Sequence, residues 1–592
     1  MRILILLGVA SVVNFLWWFF DRQHVGNKTL YVLLTFALLY KLLRLLHEWY
    51  HYWHISVPEK PVARRAPTVD ILTTACPGEP YDMFRRTLTA IQAVRYPHTS
   101  YLCDEGNDPA LKALCDELGV VHVTRRVKKD AKAGNINNAL RQAKGELCVV
   151  MDPDHEPAPE FLDRVVPYFE NPEIGFVQVV QAYYNTPESM VAKGAAQQTY
   201  SFYGPMMMGM NSYGTVQAIG ANCTFRREAL DSIGGHAAGL SEDMHTAMQL
   251  HAKGWKSVYV PEILTRGLVP ASLGAYYKQQ LKWSRGTFEL LFVTFPKLFR
   301  QFTWRQKLHY FLVPMHFLLG LIVLIDLTVP VASLLTSEVP WRIEFSEFVQ
   351  YFVPVLGLSL LIRQYSQRWL LEVVERGFHV TGGLLLVGTW WVFLLGFVYS
   401  ILRVKVPYIP TPKDDKPENH WLLSLPNIIV CVLSLGAVAY GLNYDWSPFS
   451  LIMAAFVLMN VAILTVVIIA GQHKLIGQVR EMASKTNLLT HYVRPFKYSF
   501  GVFRHAIYNV MRTGAPIYAF LIVVLIGASF VANPNEVDSL KELEPAVYKH
   551  TGGFYTGVYL PEVQATGNVQ PVAGLERVGG PAFNLISLHQ AW

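Results

Sequence analysis

Apolar residues are sorted along this chain rather than spread. Residues 1–46 and 309–533 hold nearly all the long apolar runs, while 55–305 has the mixed composition of a water-soluble domain. Runs of about 20 apolar residues match the hydrocarbon thickness of a bilayer. Charged residues make up 16% of the chain, against roughly 25% in ordinary soluble domains. The expectation is an α-helical transmembrane bundle with one large α/β domain inserted on its aqueous side.

The runs set the topology. Residues 3–20 end in an aromatic cluster with no small-residue cleavage site after them, so they read as an uncleaved span. A second run, 29–46, contains Lys41 and Arg44, whose long stems can reach an interface. Further runs lie near 309–335, 349–363, 382–402, 422–441, 448–471 and 516–532. The 349–363 run is short for a crossing. If the middle domain is cytoplasmic, a crossing by 382–402 would put Arg403, Lys405, Lys413 and Lys416 outside, against the preference of basic loops for the inside. That run is therefore expected to be interfacial or re-entrant. Runs 422–441 and 448–471 form a hairpin turning at Asn443-Tyr444-Asp445, and 472–515 is basic and suited to the cytoplasmic surface. A last span leaves the C-terminus outside, and the tail 534–592 shows no repeat.

Net charge is +7 without a long basic block, which positive-inside retention explains and which points away from nucleic acid. Six cysteines, none in a C-x-x-C pair, read as reduced thiols of a cytoplasmic domain rather than a zinc site.

Within the middle domain, short β-prone runs alternate with helical stretches, which suggests an open, mainly parallel sheet with its ligands at the carboxyl ends of the strands. Leu147–Met151 leads into Asp152-Pro153-Asp154-His155. Two carboxylates two residues apart can hold Mg²⁺ or Mn²⁺ together with a diphosphate. His155 reads as a local hydrogen-bonding residue. Asp104, in Asp104-Glu105-Gly106, is placed to accept from a nucleoside, and Lys132, in Lys132-Ala133-Gly134-Asn135, to pair with phosphate, with Gly134 allowing close approach. Glu242-Asp243 opens a helical stretch behind Ser241, a suitable N-cap, and Asp243 is the candidate general base. Gln279, Lys282 and Trp283 share one helix face, with Trp283 offering an aromatic plane to an acceptor sugar and Lys282 a charge to a diphosphate. Each motif has a plainer reading as a solvated turn, a cap or an interfacial helix. Their order along one polar stretch between spans is what favours chemistry.

Over roughly 68–420 the chain resembles the processive family 2 glycosyltransferases, the cellulose synthase-like enzymes. Asp104-Glu105-Gly106, Lys132-Ala-Gly-Asn135, Asp152-Pro-Asp154-His155, Ser241-Glu242-Asp243 and Gln279-Gln-Leu-Lys282-Trp283 resemble that family's motifs in order. Serine stands for threonine in the fourth motif and lysine for arginine in the fifth. Lysine keeps the charge but lacks the planar fork. Tyr408-Ile-Pro-Thr411-Pro-Lys413 is similar to the family's gating loop only at Thr411 and Lys413.

The resemblance implies a GT-A fold, a UDP-sugar donor bound by Asp104, Lys132, Asp152, Gln279 and Lys282, and a metal, Mg²⁺ or Mn²⁺, on Asp152 and Asp154. It further implies catalysis by Asp243 with Glu242 beside it, and a growing polysaccharide held at Trp283. The expected product is a β-glucan made from UDP-glucose and passed through the enzyme's own spans. Mannan or an amino-sugar polymer, a lipid acceptor, and a transporter with an inactive sugar domain stand as rivals. The expected plan is an N-terminal transmembrane hairpin (1–50), a cytoplasmic catalytic domain (51–275), interfacial helices (276–308), a channel region (309–533) with the gating-like loop 403–420, and an extracytoplasmic tail (534–592). The expected location is the plasma (inner) membrane, with room for accessory subunits and no cyclic-di-GMP domain.

Overall fold

The computed structural model describes residues 1–404 and 418–485 continuously, Val406 and Lys413 between them, and isolated positions beyond. The expected last span, most of the tail and Thr411 lie outside the described residues.

The polar stretch folds around a seven-stranded sheet. Its strands are β1 (Val69–Ala75), β2 (Thr99–Asp104), β3 (Val121–Thr124), β4 (Leu147–Met151), β6 (Ile174–Val179), β8 (Cys223–Arg226) and β9 (Lys256–Val260), in the order β3-β2-β1-β4-β8-β6-β9. Pairing is parallel except where β8 lies between β4 and β6. A small second sheet joins β5 (Glu156–Pro157), β10 (Thr265–Gly267) and β7 (Ala182–Tyr183). Alternation sends neighbouring residues to opposite faces. Ile71 and Val149 enter one core with Phe84, Leu88 and Phe161. Leu72 and Val150 enter the other with Ile136, Phe176 and Phe225. That second core runs on into the N-terminal hairpin through Phe15, Trp49 and Tyr52, so the aqueous domain and the first spans share apolar packing.

Five helices among the described residues are long and apolar enough to cross a membrane: Arg2–Phe19, Lys28–Tyr52, Trp304–Thr336, Trp421–Tyr444 and Pro448–Ala470. The expected run 349–363 proves to be the middle of a 22-residue helix, Phe345–Ser366, about 33 Å long at 1.5 Å per residue. It packs antiparallel to Arg2–Phe19, with Tyr351 stacked on Trp18 at 4.9 Å and Ile362 against Gly8. Polar residues at its ends shorten the apolar run in sequence, but Glu347 accepts from Trp18 Nε1 at 3.2 Å and Gln364 is buried. The segment expected to be re-entrant is two helices, Val380–Gly388 and Trp390–Ile401, bent by 50°. The bend frees the Gly388 carbonyl, which accepts from Tyr277 Oη at 3.2 Å and Asn427 Nδ2 at 2.9 Å, so no orphan acceptor is left in an apolar setting.

Two helices run across expected boundaries. The Leu273–Glu289 helix runs across 275/276, with its first turn capped by Ser272 and buried with Val191, Leu385 and Val467. The 308/309 boundary falls inside the Trp304–Leu312 helix, whose capping box at Thr303 and Gln306 places the start earlier.

Candidate active site

β1, β2 and β4 end side by side, and the loops beyond Ala75 and Met151 open on a cleft of about 350 Å³. The Asp152–His155 turn forms its floor. His155 N–H donates to the Asp152 carbonyl at 3.1 Å, and the Pro153 carbonyl accepts from Thr87 Oγ1 at 2.7 Å. Asp154 is buried, with Oδ2 accepting from the Leu268 N–H at 2.8 Å.

Lys132 reaches this floor from the start of the Ala131–Leu140 helix. Its Nζ lies 2.5 Å from Asp152 Oδ1, 2.7 Å from the Gly220 carbonyl and 3.8 Å from Glu242 Oε1. The rest of its motif holds it there. A Cβ on Gly134 would collide with the Lys129 carbonyl, and Asn135 Nδ2 donates to the Cys103 carbonyl at 2.7 Å. Gly134 thus admits the close approach of its own loop. Lys413 Nζ stands 2.8 Å from Asp154 Oδ1.

Burial alone would raise both aspartates. For Asp152 the charges of Lys132, His155 and Lys413 outweigh it, and for Asp154 those of Lys413 and His155 do, so both are held below the usual carboxylate range. Lys132 answers in kind: burial would lower it, but Asp152 and Glu242 hold it above the ordinary lysine value.

Asp243 behaves oppositely. It sits at the start of the Glu242–Ala252 helix, half-buried, with Oδ1 accepting from the Met244 N–H at 2.7 Å. Burial, then the Glu242 charge, pushes its carboxyl up to about 7 against the pull of that N–H, Lys132 and Lys282. Glu242 lines the cleft, while Asp243 lies behind Gly220, whose φ of +80° leaves no room for a Cβ beside Asp243 Oδ2. Ser241 occupies the N-cap position but makes no side-chain cap bond, because Gly286 crosses closely over its hydroxyl.

Gln279, Lys282 and Trp283 line the cleft together, as their spacing on one helix requires. Asp104 does not line it. Its oxygens accept from the Gly106 N–H at 2.7 Å and the Asp108 N–H at 2.6 Å and pair with His122 Nε2 at 3.0 Å. Asp104 thus anchors its own loop, and Glu105, paired with Arg125 at 2.7 Å, lines the cleft beside it. Glu79 lines it too, although no motif pointed to it. Burial, joined by Asp154 and Asp152, pushes it up to about 7. A Glu two residues after a Pro in a post-strand turn was the only sign of it.

The donor set fits a divalent cation. Asp152, Asp154 and His155 offer ligand atoms all within 4.8 Å of one another. His155 Nδ1 is buried 3.5 Å from Asp154 Oδ1, the oxygen that the Lys413 ammonium meets at 2.8 Å. Two carboxylates and an imidazole suit Mn²⁺ or Mg²⁺, with positions left for phosphate oxygens.

Sheet order, a carboxylate turn after β4 and a second acidic pair across the cleft define a GT-A-type glycosyltransferase domain built onto a membrane bundle. Residues 71–286 match the family described as "Glycosyltransferase like family 2", and 214–370 match "Cellulose synthase". Over 71–286 the chain is thus similar to the family 2 glycosyltransferases. It is 29% identical over 338 residues to a cellulose synthase catalytic subunit (UDP-forming) of Xanthomonas axonopodis, covering 54% of this chain and 46% of that one. It is 24% identical over 433 residues to the subunit of the same name in Pseudomonas fluorescens, covering 71% and 58%. The matched region thus spans about half of these relatives. Among solved structures, a mannosyltransferase of Pyrobaculum calidifontis in complex with GDP-Man and Mn²⁺ aligns at 15% identity and a TM-score of 0.43, over 64% of this chain and 100% of that one.

Proposed function

We propose that this protein is a processive, inverting β-glycosyltransferase that polymerises glucose from UDP-glucose and passes the glucan through its own spans. The observation that carries the reading is the split of the cleft. A strongly acidic turn with cation-ligating geometry faces Lys132 and Lys413 on one side, and Glu242, Lys282 and Trp283 line the other, with the Asp243 carboxyl, pushed up to about 7, next to Glu242 and within the field of Lys282.

Asp152, Asp154 and His155 would hold the metal, whose chemistry there is to neutralise charge on a departing diphosphate. Lys132 and Lys282 hold donor phosphates, and Gln279 and Glu105 position the nucleotide. Trp283 gives an acceptor sugar an apolar plane. Asp243 removes the proton from the acceptor hydroxyl as its oxygen attacks the anomeric carbon from the face opposite UDP. The bond to the diphosphate breaks as the β link forms. A carboxyl near 7 suits this role, since a general base works best with a pKa near the working pH.

The reading places the sheet domain in the cytoplasm and the spans in the plasma (inner) membrane. Arg2–Phe19 and Phe345–Ser366 cross as an antiparallel pair, and the bent Val380–Ile401 unit rests at the interface. The test supplies purified protein in nanodiscs with UDP-glucose and Mn²⁺ or Mg²⁺, follows UDP release, and digests the product with β-1,4- and β-1,3-specific glucanases. A long polymer cut by one of them supports the proposal and fixes the linkage. UDP release with glucose transferred to a lipid alone would overturn the processive reading.

A further inference from the structure

The loop that leads into Glu242-Asp243 is tied by one side chain to the helix that carries Lys132. Asn137 follows Lys132 on the Ala131–Leu140 helix. Its Oδ1 accepts from the His236 N–H at 2.7 Å, and its Nδ2 donates to the His236 carbonyl at 2.8 Å. The amide thus pairs with both backbone groups of one residue. Only glycine fits before that residue: a Cβ on Gly235 would lie 2.6 Å from Asn137 Oδ1, and Gly235 has a φ of +99°.

His236 carries the tie inward. Its ring is buried, edge-on to Phe225 at 5.4 Å, with Nδ1 3.0 Å from Thr246 Oγ1. Thr246 is buried on the Glu242–Ala252 helix. Its hydroxyl donates to the Glu242 carbonyl at 2.6 Å and accepts from the Ala237 N–H at 3.0 Å. A threonine bonded to the carbonyl one turn back is ordinary in a helix. The other two bonds come from the loop and make this hydroxyl a junction between loop and helix. Because the hydroxyl proton goes to Glu242, its oxygen can only accept from His236, which fixes the imidazole proton on Nδ1. Burial, then the charge of Lys132, pushes His236 down to about 3, so the ring is a neutral donor near pH 7.

We propose that Asn137, His236 and Thr246 are positioning residues for Asp243, holding the Glu242-Asp243 turn at a fixed place relative to Lys132. None of the three lines the cleft. The inference rests on Asp243 acting as the base. The groups that face Asp243 are Glu242 beside it, Lys132 and Lys282 from two other helices, and Tyr203 and Cys223, both pushed up by burial and so neutral near pH 7. Burial is the largest influence raising the Asp243 carboxyl. A turn released from Thr246 admits water to it, so the carboxyl then titrates at lower pH.

The test uses the full chain in nanodiscs, as wild type and as Thr246→Val, Thr246→Ser, Asn137→Leu and Asn138→Ala. UDP release from UDP-glucose gives kcat, KM and the acid limb of the rate. Infrared titration reads Asp243 without turnover, as the carboxyl band that Asp243→Asn abolishes. Thr246→Val and Asn137→Leu are expected to lower kcat on the order of 10- to 100-fold, the scale of a small misplacement far from the chemistry. KM for the donor should hold, and the limb and the infrared midpoint should both move to lower pH. Thr246→Ser keeps the hydroxyl, and Asn138→Ala removes the neighbouring amide, which bonds the Thr124 carbonyl instead, so both should keep limb and midpoint in place. A lower Tm with limb and midpoint unmoved reduces the three residues to packing and overturns the proposal, as does an equal shift in Asn138→Ala. A midpoint that moves in a protein whose wild-type rate has no acid limb keeps the positioning and overturns Asp243 as the base. If the variants fail to fold, ¹⁵N-histidine spectra of the wild-type chain decide: a neutral His236 with its proton on Nδ1 is required, and a proton on Nε2 overturns the proposal.

Discussion

The two acidic turns of the cleft are built from the same carboxylates and end in opposite states. At Asp152-Pro-Asp154 each carboxylate meets a lysine, Lys132 at 2.5 Å and Lys413 at 2.8 Å, and both are held ionised. At Glu242-Asp243 the nearest charge to Asp243 is another carboxylate, and it rises to about 7. Burial raises all of them, so the sign of the nearest charge separates them. One turn is set to bind cations at any physiological pH, and the other to exchange a proton near neutrality. Lys132 touches both, through Asp152 and Glu242, which couples donor binding to the acidity of the base.

The largest way to break this contrast is at Asp243. Asp243→Asn is expected to lower kcat by about 10³-fold, within the range of general-base losses, while UDP binding by calorimetry is unchanged. A rate within tenfold of wild type would remove Asp243 from the reaction and shift attention to Glu242. Next is Asp154→Asn, expected to cost on the order of 10²-fold in kcat/KM, the scale of losing one preorganised electrostatic contact. Here, unlike at Asp243, the loss should come with weaker Mn²⁺ binding. Equal metal affinity in the variant would mean the two turns do not divide the labour this way.

The pH profile sharpens the contrast. Asp243 works deprotonated, so with a pKa near 7 the rate should fall as pH drops through 7, about tenfold per unit below it. Glu79 is also pushed up to about 7 and lines the same cleft, so Glu79→Gln is the control, and the acid limb must survive it. Lys132 pulls Asp243 down. Lys132→Met should therefore move the limb to higher pH, besides raising the KM for donor. A limb that stays in place would show that the two turns are not coupled through Lys132.

What was readable in the chain follows the same division. Asp152, Lys132, Glu242 and the Gln279–Trp283 face stand in local motifs whose placement follows from strand ends and helical period, and they meet in the cleft. Asp104 has an equally clear motif, yet its lone pairs go to Gly106, Asp108 and His122. Two of those bonds close the loop, and nothing local announces the partner that His122 supplies from β3. Glu79 was hidden for the converse reason, as an isolated acid whose environment is made by Asp152, Asp154 and Lys413 from distant segments. In the bundle, apolar runs located the helices, but the first turn of Phe345–Ser366 is held by Trp18 Nε1 donating to Glu347. Partners across the fold, rather than periodicity, set that boundary.

The smallest expected effect is at Lys282, and it tests whether charge or shape matters at the mouth. Lysine there supplies a point charge without the fork of arginine, and it lies partly exposed on the cleft wall. Exposed charge pairs are worth up to about 1 kcal/mol, so Lys282→Arg should change kcat/KM by no more than about fivefold. The positive charge is kept, so its pull on Asp243 and the acid limb should stay in place. Lys282→Gln removes that pull and should move the limb to higher pH by less than Lys132→Met does, because Lys132 acts more strongly on Asp243 than Lys282 does. A loss above tenfold in Lys282→Arg would show that the compact ammonium itself, and not its charge alone, is required at the donor phosphates.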